Sequence, residues 1–306
     1  MRRTLLAVVG ATATGKTAAG EALAVQVAGE VVCADARQVF GELELGTGKP
    51  TPAERGSRPH HLFEWLALGD RPTAGRWARA AAEVCERCFA RGVTPVLVGG
   101  SGLYLAALQR GLHPEPPRDP AARAGLEAEC DAVGVEEMHA RLAARDPEAA
   151  AALARRDRQR VLRALEITNV SGHTLAWWRA RPREAPLAAE WRTFELTCPP
   201  AGLAERIAER TQAMWDQGLL AETRALCEAG LEPALRRLAA IGYDEALERL
   251  AGRLSATEAE QRMNARTRQL AKRQRTWFRH QMATEPLALD AASAPGWAER
   301  VAAALR

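Results

Sequence analysis

Lysine is nearly absent from this chain: among 42 lysines and arginines, only Lys16, Lys49 and Lys272 are lysines. Arginine is the default cation, so each remaining lysine marks a place where a compact ammonium is needed and a planar fork is not. Long apolar runs are also missing. Nothing approaches the roughly 20 apolar residues that span a bilayer, and the start, Met1-Arg2-Arg3 then Thr4 to Val9, runs into a glycine-rich turn without a cleavage-like site. A cytoplasmic protein with no membrane partner is the expectation. Cysteines 33, 85, 88, 130, 198 and 227 are scattered and lack a secretory context, which argues against a disulfide framework. Cys85 and Cys88 form one C-x-x-C, but no second Cys/His pair stands at zinc spacing, so no metal is expected there. No internal repeat is present.

What is there is a chain of 306 residues, long enough for one large domain or a domain with an inserted lobe. Apolar runs alternate with helical patterns: Leu5 to Val9, a helix from about Lys16, Val31 to Ala34, an amphipathic helix from Thr73 to Arg91, then Val96 to Val98. This is βα organisation with a parallel sheet, and Thr73 and Gly92 suit the cap and stop of the long helix. Between the first strand and helix lies Gly10-Ala11-Thr12-Ala13-Thr14-Gly15-Lys16-Thr17, which fits G-x-x-x-x-G-K-[ST]. Such a loop aims backbone N–H groups at phosphate oxygens, reaches the terminal ones with Lys16, and offers the Thr17 hydroxyl to Mg²⁺. A diphosphate or triphosphate is therefore expected here. The strand at Pro95 to Val98 runs into Gly99-Gly100-Ser101-Gly102, so the acid that an ordinary P-loop ATPase carries at that place is missing.

From His113 the character changes. Pro114, Pro116, Pro117 and Pro120 read as a linker, and the sequence up to about Trp178 has helical patterns but no strand candidate. Trp191 to Cys198 then reads as a strand returning to the core, followed by long helices at Leu203 to Gln217 and Ala256 to Met282. The expected fold is α/β, a P-loop NTPase-like parallel sheet core (1–112 and 190–306) with an inserted all-helical lobe (113–189).

Asp35 stands where the second strand ends, the edge of an open α/β sheet at which ligands sit. Arg37 and Gln38 follow it with a cation and a two-way amide. Further marks are Gly46-Thr47-Gly48-Lys49-Pro50-Thr51, Pro59-His60-His61-Leu62, Leu97 to Tyr104, Arg163-Ala164-Leu165-Glu166, Ile241-Gly242-Tyr243, and Thr267-Arg268 through Ala271-Lys272-Arg273-Gln274 to Thr276-Trp277-Phe278-Arg279. With these, the chain resembles the bacterial tRNA dimethylallyltransferase (tRNA isopentenyltransferase) family over nearly its whole length. It departs from that family's pattern at Ala11 (usually Pro), Thr14 (Ser), Ala36 (Ser), Gly48 (Ala) and Ser101 (Thr). The changes at Ala11 and Gly48 are expected to affect backbone stiffness. At Ala36 a hydroxyl beside Asp35 is lost.

The resemblance implies transfer of a dimethylallyl group from dimethylallyl pyrophosphate to N6 of the adenosine at position 37 of tRNA, beside the anticodon, by a monomer. Adenine N6 is a poor nucleophile because its lone pair is delocalised, so a carboxylate able to take a proton is needed, and Asp35 is the candidate. Lys16, the loop N–H groups, the Thr12 hydroxyl and Mg²⁺ on Thr17 are expected to stabilise the departing pyrophosphate. By resemblance Arg210 completes this clamp, with Arg206 on the same helix face. The stretch Gln261 to Thr284 holds seven cations and no acid. Arg268, Lys272, Arg275 and Arg279 form a stripe for RNA phosphates, while Met263, Leu270 and Trp277 are expected to face the core. The resemblance also implies that Asp35, Ala36, Arg37, Gln38, Ser101 and Arg123 meet the tRNA, and that Gln159, Arg160, Val161, Leu162 and Arg163 contact the anticodon stem. Three other readings stay open: a small-molecule or nucleotide kinase, a non-catalytic P-loop RNA-binding protein, and an enzyme that prenylates free adenine nucleotides.

Overall fold

The computed structural model describes residues 3–56, 58–288 and 296–303. It divides into two compact units, one formed by residues 1–109 with 187–306 and the other by residues 110–186. The insertion thus begins and ends three residues before the expected bounds.

The larger unit is built on six parallel strands, β1 (Thr4–Gly10), β2 (Glu30–Cys33), β3 (His60–His61), β4 (Pro95–Gly99), β5 (Glu190–Thr197) and β6 (Glu285–Ala288), in the order β3-β2-β4-β1-β5-β6. Its helices are α1 (Lys16–Gln26), α2 (Pro52–Arg55), α3 (Ala74–Ala90) and α4 (Gly102–Arg110), which enters the smaller unit with its last residue. Strand β1 is central and buried on both faces, which explains its unbroken apolar run. Leu5, Ala7 and Val9 join one core with α3 and α4, and Leu6 and Val8 join another with α1. The Thr73 side chain accepts from Arg76 N–H at 3.2 Å and caps α3.

Two strands lie where only loop or helix was expected. β3 has two residues, and β6 is a mostly exposed edge strand containing Pro286. Neither offers the alternating apolar pattern by which a strand is read.

The smaller unit is all helix: α5 (Pro120–Val133), α6 (Val135–Arg145), α7 (Pro147–Ala151), α8 (Arg158–Ser171) and α9 (Leu175–Arg179). Leu126, Cys130, Met138, Leu142, Val161, Leu162 and Leu165 form its core. The larger unit continues with α10 (Pro200–Asp216), α11 (Leu219–Glu228), α12 (Glu232–Leu238), α13 (Tyr243–Leu250), α14 (Ala256–Gln281) and α15 (Trp297–Ala303). Among the described residues no helix is long and apolar enough to cross a membrane.

Candidate active site

Because the strands are parallel, the turns after β1, β2 and β4 emerge at one edge of the sheet. They carry the phosphate loop, Asp35 and Gly100–Ser101. These turns, with α10 and α14, line a cavity of about 760 Å³. Thr12, Ala13, Gly15, Lys16 and Thr17 face it from the loop, and Asp35, Ala36, Arg37, Gln38, Ser101 and Arg210 face it from elsewhere.

Gly10, Ala11 and Thr14 do not line the cavity. Ala11 and Thr14 are buried, and the Thr14 hydroxyl donates to Ala11 O at 2.8 Å, so both shape the loop from behind. Ala13 adopts a left-handed φ of 63°, costly for a residue with a Cβ. Arg206 of α10 secures that turn by donating from Nε to Ala13 O at 2.9 Å. From the other side Gln274 of α14 accepts the Thr12 N–H at 2.9 Å and donates to Gly100 O at 3.0 Å. Sequence reasoning placed Arg206 beside Arg210 and gave Gln274 no role. Both contacts require knowing which helices dock on the loop.

Lys16 donates from Nζ to Ala11 O at 2.6 Å. Burial pushes its pKa down to about 8 against the opposing pull of the Asp35 carboxylate, with Arg210 adding to the depression. Arg210 is itself lowered by burial, and Asp35 partly offsets this. Asp35 thus lies within electrostatic reach of both cations. Its Oδ1 accepts Arg37 N–H at 2.8 Å, and Ser101 Oγ accepts Ala36 N–H at 2.9 Å. Backbone contacts therefore order this turn without a hydroxyl at position 36.

Gly48 does more than set chain stiffness. Its φ is 57°, and a Cβ there would stand 1.7 Å from Arg210 Nη2. The bare backbone makes room for the guanidinium, which donates to Thr47 O at 3.4 Å. Gln38 braces the same turn through Thr47 O and Gly48 O, at 3.3 and 3.0 Å. Arg37 donates to Leu238 O at 3.1 Å.

Of the three lysines, Lys16 faces the cavity and Lys272 is exposed. Lys49 is a buried structural cation, with Phe40 O, Gly41 O, Glu44 and Glu64 around its Nζ at 2.9 to 3.4 Å. Such a convergence suits an ammonium. Away from the cavity Glu30, His61 and Cys88 cluster closely enough to hold a metal ion, but Arg91 takes both Glu30 oxygens at 2.7 and 2.8 Å. With His61 and the Cys88 thiol also donating to Glu30, that carboxylate is satisfied by the protein.

On α14, Arg268, Lys272 and Arg279 are exposed and Arg275 is half-buried. The stripe carries no ion pair among the described residues, whereas Arg262 and Arg266 reach Asp244 and Glu245 of α13. The acid-free run is thus partly neutralised by a neighbouring helix. Met263 is core, but Leu270 and Trp277 are half-buried and, with Met263 and Arg273, line the cavity.

In the smaller unit Gln159 and Arg160 are exposed. Val161 and Leu162 are wholly buried, and this corrects their assignment to an RNA surface: on a helix the run 159–163 cannot all face outward. Arg163 donates to Pro116 O and Pro117 O and pairs with Glu166, so it fastens the linker to α8. Arg123 pairs with Glu127 at 2.7 Å.

The sequence matches the IPP transferase family over residues 38–281 and the Isopentenyl transferase family over residues 3–63. It is 42% identical over 286 residues to a tRNA dimethylallyltransferase of Stenotrophomonas maltophilia (strain K279a), covering 90% of both chains. To that of Sorangium cellulosum (strain So ce56) it is 44% identical over 279 residues, covering 90% of this chain and 88% of the other. The fold is similar to the crystal structure of a tRNA isopentenylpyrophosphate transferase from Bacillus halodurans, with TM-score 0.68, 29% identity and 99% of both chains covered. A eukaryotic dimethylallyltransferase acting on tRNA shares the fold alone, at 24% identity and TM-score 0.79, with 98% of this chain and 77% of that one covered. With a cavity that sets a phosphate loop beside a carboxylate, and relatives of this kind along nearly its full length, the chain belongs to the IPP transferase family, that of the tRNA dimethylallyltransferases.

Proposed function

We propose that this protein transfers the dimethylallyl group of dimethylallyl pyrophosphate to N6 of the adenosine at position 37 of tRNA, beside the anticodon, and releases pyrophosphate. The observation that carries this reading is the placement of Asp35 in one cavity with Lys16, Thr12, Thr17 and Arg210. A cation set on one side suits a departing diphosphate, and a carboxylate among them suits proton removal from an amine that attacks nearby.

In this reading Asp35 takes a proton from N6 as the new N–C bond forms and the allylic C–O bond breaks. Charge gathers on the leaving diphosphate, where Lys16, Arg210, the Thr12 hydroxyl and the N–H groups at the start of α1 strengthen their grip. The Thr17 hydroxyl and diphosphate oxygens are the hard donors that Mg²⁺ takes, and the ion would supply further neutralisation of the leaving group. The target base is drawn out of the anticodon loop to reach Asp35. RNA phosphates are met by Arg268, Lys272, Arg275 and Arg279 and, on the smaller unit, by Gln159 and Arg160. The enzyme works as a cytoplasmic monomer.

The test is direct. The protein is mixed with dimethylallyl pyrophosphate, Mg²⁺ and either unmodified tRNA or AMP, and pyrophosphate and prenylated adenine are measured. Prenylation of tRNA alone is expected. Product from AMP but not from tRNA would move the activity to free nucleotides, and no product from either would remove the transferase reading.

A further inference from the structure

We propose that Gln274 is a positioning residue that fixes the gap between the diphosphate grip and the carboxylate facing it. The proposal rests on the site reading above. Gln274 lies on α14, which also carries the basic stripe, and is half-buried. Its Oε1 accepts the Thr12 N–H at 2.9 Å, and its Nε2 donates to Gly100 O at 3.0 Å. One amide thus joins the turn after β1 to the turn after β4.

The connection continues to Asp35. Ser101, next to Gly100, accepts Ala36 N–H at 2.9 Å, and Ser101 N–H donates to Ala34 O at 3.1 Å. The order is therefore Thr12, Gln274, Gly100–Ser101, then the Ala34–Asp35–Ala36 turn. Thr12 belongs to the leaving-group side and Asp35 to the acceptor side. The bridge needs an acceptor and a donor on one planar group at this reach, which a primary amide supplies and a carboxylate does not. Gly100 is shaped to receive it, because a Cβ there would stand 2.3 Å from Gln274 Nε2.

A loosened bridge misplaces two reacting groups without removing either. Misplacement by about 1 Å costs on the order of 100-fold in rate. It also opens a competing reaction. As the C–O bond to pyrophosphate breaks, a water oxygen bonds the allylic carbon in place of N6 and its proton passes to solvent, giving dimethylallyl alcohol and pyrophosphate. The ratio of pyrophosphate released to adenosine prenylated therefore reports the gap.

The experiment compares wild type, Gln274→Met and Gln274→Glu with full-length unmodified tRNA. Met keeps the volume and removes both bonds; Glu keeps the acceptor for Thr12 and removes the donor to Gly100. Both variants are expected to lose kcat by roughly 10- to 100-fold, with KM for tRNA little changed and a product ratio above the value of one expected for wild type. A thermal midpoint close to wild type separates this from unfolding, and Glu serves if Met does not fold. A ratio of one in both variants, or a loss confined to KM for the donor, overturns the proposal. Wild type that fails to prenylate tRNA removes this inference together with the site reading. Active wild type with unchanged variants removes this inference alone.

Discussion

Donor binding should draw a proton into the protein, and the uptake should grow between pH 7 and pH 9. Burial lowers the Lys16 pKa from 10.5 to about 8, despite the Asp35 carboxylate. At roughly 1.4 kcal/mol per pH unit, the free cavity disfavours the ammonium by on the order of 3 kcal/mol. A diphosphate brings negative charge to the loop and restores the protonated form. If binding returns Lys16 to its ordinary range, uptake is about 0.1 proton at pH 7, about 0.5 at pH 8 and about 0.9 at pH 9. The donor, an ester of pyrophosphate, is itself almost fully ionised over this range, since an esterified phosphate's last proton leaves near pH 6. Calorimetry of dimethylallyl pyrophosphate binding, without tRNA, in buffers of different ionisation enthalpy measures the uptake. By the same logic kcat/KM for the donor declines above about pH 8, and Lys16→Arg, always charged, abolishes both effects. Uptake that stays flat from pH 7 to 9, or that persists in Lys16→Arg, refutes the assignment of Lys16 as the titrating grip.

Four further outcomes are expected. Asp35→Asn lowers kcat by about 10²- to 10⁴-fold with little change in either KM; a pure KM effect would reassign Asp35 to binding. Arg210→Ala loses about 2 to 4 kcal/mol of transition-state stabilisation, and unchanged turnover would take it out of the mechanism. Replacing Arg268 and Lys272 by Ala flattens the slope of log K against log[salt] for tRNA by about 0.7 to 0.9 for each phosphate no longer neutralised; an unaltered slope would move the RNA off α14. Glu30 is held down to about 2, first by Arg91 and then by His61 and Cys88 against its burial, so its stabilising contribution is present above the ordinary pKa of 4.5 and is lost as pH falls from there towards 2. Thermal midpoints of wild type should fall more steeply than those of Glu30→Gln over that range, and parallel curves would deny the linkage.

The phosphate loop was legible because its demands are local: an apolar strand, a glycine-rich turn and a lysine at the start of a helix lie within 13 residues, from Thr4 to Lys16. Asp35 was legible for a related reason, since it follows a short apolar strand and strand ends mark the ligand edge. The four-cation stripe followed from helical spacing. Val161 and Leu162 were placed with the RNA contacts by resemblance, as part of a whole run, and are buried because only some positions of a helical run can face solvent. Seven-residue spacing grouped Met263, Leu270 and Trp277 correctly on one side of α14, but that side borders a cavity as well as a core. Arg206 and Gln274 were the least legible. Each touches the loop across more than 190 residues of sequence, and nothing in their local pattern announces the partner.

The missing acid after β4 has a structural counterpart. In a phosphoryl-transfer enzyme that position steadies a metal near the transferred group. Here the bond that breaks lies beyond the phosphates, at an allylic carbon, and the turn is put to another use. Gly100 O receives Gln274, and Ser101 orders the Asp35 turn from both sides. A carboxylate at that place would add negative charge beside a departing diphosphate and compete with Asp35 for Lys16 and Arg210. The glycine-serine turn avoids both costs. It leaves Asp35 as the carboxylate among the cavity-lining residues, so Lys16 and Arg210 face a single acidic side chain there.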